Sequence, residues 1–77
     1  MSGSIQYRVV FATRDVAVDG PDDAEVVVTV AAADAHLDPT VAFMLGKLKH
    51  TGPTGPLLAV LADGSASAAI NRLASRP

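Results

Sequence analysis

The sequence predicts a small α+β domain with most of its strands in the first half and most of its helices in the second. Three patterns carry that reading. Ile5 to Ala12 alternates apolar and polar residues at period 2, Glu25 to Val30 is β-branched almost throughout, and after Asp38-Pro39 the apolar residues recur at helical spacing between Gly- and Pro-rich breaks. A chain of 77 residues has room for one core, so residues 1–77 are read as a single domain.

In the first strand Ile5, Tyr7, Val9 and Phe11 fall on one face, and Gln6 and Arg8 on the other. A short polar turn at Thr13 to Asp15 leads to Val16-Ala17-Val18, which pairs back as a hairpin strand before the Asp19-Gly20-Pro21 turn. The run Glu25-Val26-Val27-Val28-Thr29-Val30 has apolar residues on both faces and reads as a central strand. Ala31 to His36 covers under two helical turns and makes a short helical piece or a turn.

Asp38 followed by Pro39 marks a helix start. The carboxylate accepts orphan N–H groups, and proline at the first helical position loses no hydrogen bond. That helix runs to about Leu45, with Val41, Met44 and Leu45 on one face, Phe43 off it, and Gly46 placed to end it in the left-handed conformation. Lys47-Leu48-Lys49-His50 alternates again as a strand with Leu48 inward and both lysines toward water. The breaker cluster Gly52 to Pro56 then opens an apolar helix, Leu57 to Ala62, closed by Asp63-Gly64. Ser65 is positioned to cap a last helix carrying Ala66, Ala69, Ile70 and Leu73 at helical spacing, with Arg72 and Arg76 near its C-terminal end.

Composition excludes several classes of function. A formal net charge of −2 leaves no basic excess for neutralising phosphates, so nucleic acid is not an expected partner. The absence of cysteine removes disulfides and thiolate metal sites. No run approaches the roughly 18 apolar residues of a membrane span, and the N-terminus lacks a basic segment followed by an apolar one, so a cytoplasmic protein is expected.

The string from Leu37 to Lys49, Leu-Asp-Pro-Thr-Val-Ala-Phe-Met-Leu-Gly-Lys-Leu-Lys, with Gly52 after it, resembles the sterol carrier protein-2 family. In that family a capped helix with an Ala-Phe-Met centre meets a Gly-Lys-Leu-Lys strand and a glycine turn. The Val-rich segment Ala24 to Ala35 and the leucine-rich segment Pro56 to Leu61 are similar to their counterparts, so the resemblance covers about half of the chain. It implies an antiparallel sheet of about four strands with short helices on one face, and an apolar tunnel holding a sterol, fatty acid or acyl chain. It implies no covalent chemistry, no cofactor and no metal. Val9, Phe11, Val28 and Val30 would floor the tunnel, and Val41, Phe43, Met44, Leu48, Leu57, Leu58 and Leu61 would line or lid it. The sequence departs from the family in two places. Only Ala31 to His36 stands where the family has a longer helix, and the family's N-terminal helix is expected to be lacking.

The shortening has an energetic consequence. Ligand pockets run from about 300 Å³ upward. At about 24 cal/mol per Å³ an empty one would cost on the order of 7 kcal/mol, against a whole folding stability of about 5 to 15. Alone and unliganded, the chain is therefore expected to collapse its tunnel or to complete it as a homodimer. The alternative function is a degenerate module that uses the apolar helices, through Leu57, Leu58, Leu61, Ile70 and Leu73, as a dimer or protein-interaction surface without ligand.

Other chemistry finds little support in the residues. His36 and His50 match no metal-ligand spacing, and the acidic run Pro21 to Glu25 lacks the order of a calcium loop. Gly46, Gly52 and Gly55 do not form a phosphate loop, and Ser65 and Ser67 sit in no nucleophile elbow. A non-enzyme is expected. Lys47 and Lys49 suit a solvated strand face, with transient contact to lipid head groups as the other role open to them.

Overall fold

The computed structural model describes residues 4–75; Arg76, expected at the end of the last helix, lies outside them. Strand β1 spans Ile5–Ala12, β2 Asp15–Asp19 and β3 Val26–Ala31. A 3-10 turn at Ala32–Asp34 occupies the segment read as a short helical piece. Helix α1 then spans Pro39–Met44, β4 Leu48–Thr51, α2 Thr54–Asp63 and α3 Ser65–Ala74. The four strands form one sheet in the order β2-β1-β3-β4.

The α+β class and the four strands are as expected, but the sheet is mixed and not antiparallel throughout. The pairs β1–β2 and β3–β4 are antiparallel, whereas β1 and β3 run parallel, with Tyr7 opposite Val28 and Val9 opposite Val30. Connectivity forces the difference. Strand β2 returns along one side of β1, and the chain then turns again and enters β3 on the other side, so β3 must run in the direction of β1. The connection passes the start of β1 at close range. A Cβ on Gly20 would lie 2.4 Å from the Ile5 carbonyl oxygen, and Gly20 has φ of +122°, so only glycine fits there.

The crossing segment also changes the environment of Gln6. Alternation places Gln6 on the polar face, yet the residue is fully buried. Its Nε2 donates to the Pro21 carbonyl at 3.0 Å and to Asp22 Oδ1 at 3.3 Å, while its Oε1 accepts from Arg8 Nε at 2.7 Å. A buried amide with its donors and acceptor occupied costs little and pins the connection in place.

The registers put Tyr7, Val9, Val26, Val28, Val30 and Leu48 on one face of the sheet, and all six are buried. The helices cover this face. Helix α3 lies across β1 and β2, α1 rests against β4, and α2 touches both α1 and α3. Leu57, Ala66, Ala69, Ile70, Ala42 and Ala35 complete one core with the strand residues. The opposite face carries Arg8, Thr29 and Lys49, together with Val16 and Val18, which are exposed at the β2 edge.

Helix α1 is bounded as its sequence indicates. Asp38 Oδ1 accepts from the Thr40 N–H at 2.9 Å. At the other end the Gly46 N–H donates to the Phe43 carbonyl at 3.1 Å and the Lys47 N–H to the Ala42 carbonyl at 2.8 Å. That pair is a Schellman motif, and it needs the left-handed conformation that Gly46 adopts at φ of +76°. Helix α2 starts three residues earlier than Leu57, because Pro56 falls in the first turn, where no N–H is required. Ser65 does not cap α3 through its side chain. It is the first helical residue, and Asp63 Oδ1 accepts its N–H at 2.8 Å.

Candidate functional site

The expected ligand-space residues separate into three groups. Val9, Val28, Val30, Leu48 and Leu57 are buried in the core, Leu57 completely. Phe11, Phe43 and Leu61 are partly buried and packed against that core. Val41, Met44 and Leu58 are exposed, at 43%, 76% and 52%. The structure thus brings the sheet residues, Leu48 and Leu57 together and arranges Phe11, Phe43 and Leu61 around them. The other three face outward. Among the described residues no pocket opens between sheet and helices, and side chains fill the space there.

The helix-to-strand corner positions Phe43 and His50. Leaving α1 through the Schellman turn, the chain enters β4 with Leu48 inward and His50 two residues on along the same face. The rings of Phe43 and His50 meet edge to face, with centroids 5.6 Å apart and planes at 63°. His50 is therefore engaged with an aromatic ring, and His36 is exposed. Among the described residues no group of three or more His, Cys, Asp or Glu side chains is placed to hold a metal ion.

A second cluster of titratable groups lies near α3. Burial raises the Tyr7 hydroxyl above its ordinary pKa, and the carboxylates of Asp63 and Asp19 push it further. Hydrogen bonds from the Ser65 side chain and backbone hold the Asp63 carboxylate below its usual range. Asp19 in turn pairs with Arg72 of α3 across the β2 edge.

Two outcomes qualify the sequence reading. Leu45, grouped with Val41 and Met44 on one helical face but left out of the expected ligand set, is 61% exposed, and that shared face points outward. Of the helix residues read as a possible interface, Leu57 and Ile70 are consumed by the chain's own core, which leaves Leu58 exposed and Leu61 and Leu73 partly covered.

The mixed four-stranded sheet with its helices on one face is a sterol carrier protein-2-like fold. The apo form of sterol carrier protein 2 from Yarrowia lipolytica is a solved structure of this kind. It matches 96% of this chain and 71% of its own at a TM-score of 0.55, with 14% sequence identity. At that identity the likeness is one of fold. No protein-family model matches the sequence, and no curated protein does. Among the described residues no helix is long and apolar enough to cross a membrane.

Proposed function

We propose that the protein binds a hydrophobic ligand, a sterol, fatty acid or acyl chain, between the sheet and helices α1 and α2, and carries it without chemical change. The observation that supports this reading is the shared fold with a structure named as a sterol carrier protein. The driving force is removal of the ligand's apolar surface from water, about 25 cal/mol for each Å² buried. In this reading Val9, Phe11, Val28 and Val30 form the floor, and Phe43, Leu48, Leu57 and Leu61 form the walls. Val41, Met44 and Leu58 stand at the mouth. Entry of a ligand separates α1 and α2 from the sheet, and Phe11, Phe43 and Leu61, already partly exposed, move with the least loss of packing.

A second reading, a homodimer or protein-interaction module without ligand, draws support from the exposure of Val41, Met44, Leu45 and Leu58. One pair of measurements separates the two. Titration with a fluorescent fatty acid should give saturable binding in the low-micromolar range or tighter, and native mass spectrometry should find co-purified lipid. Absence of both signals overturns the carrier reading, and a dimer in light scattering that excludes lipid supports the second.

A further inference from the structure

We propose that the open face of the sheet, turned away from the helices, holds a binding site for a phosphate monoester, built on Arg8, Thr29 and Lys49. The site lies on the other side of the sheet from the ligand space proposed above and does not depend on it. The strand registers set its residues in one row. Arg8 of β1 is opposite Thr29 of β3, and Thr29 is opposite Lys49 of β4, while Val18 of β2 flanks Arg8 on its other side. With strands about 4.8 Å apart, the Arg8 and Lys49 backbones are about 10 Å apart, a span that two long side chains can share around one anion beside Thr29. Arg8 is anchored as well as exposed. Its Nε donates to Gln6 Oε1 at 2.7 Å, and Gln6 is fully buried, with its own amide donating to the Pro21 carbonyl and to Asp22. The two terminal amino groups of the guanidinium have no partner among the described residues, so a planar fork held at Nε loses little freedom when it takes an anion. Lys49 is exposed and, among the described residues, forms no ion pair.

Charge and donor geometry select the ligand class. Asp15 and Asp19 alternate with Val16 and Val18 along β2 and so fall on the helix side of the sheet, where Asp19 meets Arg72 of α3. Asp22, Asp23 and Glu25 belong to the segment that crosses past the start of β1, and Asp22 is engaged by the Gln6 amide. The row itself therefore carries two cations and no carboxylate. A phosphate monoester, close to a dianion above pH 7, matches both charges. Its three free oxygens can take the Arg8 fork, the Thr29 hydroxyl and the Lys49 ammonium together, whereas a carboxylate brings only two oxygens and one charge. The exposed side chain of Val18, next to Arg8 in the row, offers apolar surface to the organic part of such a ligand.

Backbone amide shifts of the full chain, followed by NMR at constant ionic strength while phenyl phosphate is added, test this. Shifts at Arg8, Thr29 and Lys49 should saturate with a Kd on the order of 1 mM, as suits a site open to water. Benzoate should bind at least about five-fold more weakly, because it brings one charge and two oxygens. Arg8→Gln should weaken phenyl phosphate binding about ten-fold and Lys49→Gln about three-fold, the loss of the charged fork being the larger. Arg8→Lys should recover only part of the first loss, since it keeps the charge without the fork. Both side chains are exposed, so the variants should fold, and unchanged circular dichroism spectra check that they do. Shifts that do not saturate or that centre elsewhere, benzoate binding as tight as phenyl phosphate, or wild-type affinity in either Gln variant would overturn the proposal. Fatty-acid titration reports on the carrier reading alone, so the two can fail separately.

Discussion

The half of the molecule beneath α3 and the half beneath α1 use similar residues to opposite ends. Helix α3 turns Ala66, Ala69 and Ile70 into the core and leaves Asn71 and Arg72 in solvent, with Arg72 tied to Asp19 on β2. Helix α1 has an equally apolar stripe in Val41, Met44 and Leu45, but buries Pro39 and Ala42 instead. Length accounts for the contrast. Ten residues of α3 bury enough side-chain surface for the apolar face to set the rotation of the helix. The six residues of α1 are capped at both ends, by Asp38 and by the turn at Gly46, and with Pro39 and Ala42 inward the stripe faces outward. One half buries its apolar stripe, and the other leaves it exposed.

The largest test of this contrast compares matched truncations. Ile70→Ala should cost about 2 to 5 kcal/mol in urea denaturation, whereas Leu58→Ala, at a position 52% exposed, should stay within about 0.5 kcal/mol. Equal losses would mean that the α1–α2 side is as tightly packed as the α3 side. A smaller effect is expected where α1 is held by its end. Asp38→Ala removes the acceptor for the Thr40 N–H and should cost about 1 kcal/mol, read as a lower urea midpoint with unchanged slope.

The smallest effect at neutral pH concerns Tyr7, under α3. Its folded-state pKa is raised, so the folded chain holds the phenolic proton more tightly than the unfolded one. The resulting stability is fully present below the unfolded value near 10 and is lost as pH rises through the folded value. Denaturation midpoints should fall on the alkaline side, and Tyr7→Phe should flatten that fall. An alkaline limb unchanged in Tyr7→Phe would assign it to other groups.

Local chemistry was legible in the sequence, and non-local placement was not. The cap at Asp38, the stop at Gly46 and the inward Leu48 depend on neighbours a few residues away, and each stands where spacing and residue type put it. The parallel β1–β3 pairing could not be read in the same way. It depends on which side of β1 the chain passes after Gly20, and alternation says nothing about that. Gln6 illustrates the same limit, being buried by a segment 15 residues away. For the candidate site, the sequence grouped Val41 and Met44 correctly on one helical face, but periodicity defines a face without saying toward what it points.

Gly64 alone separates α2 from α3, so the two helices have no linker between them. With α3 packed on the sheet, the direction in which α2 approaches it is set at that one residue, whose φ of +85° is open to glycine and strained for other residues. Any tilt of α2 about Gly64 therefore has to carry with it Leu57, which is fully buried in the core that α2 shares with α3.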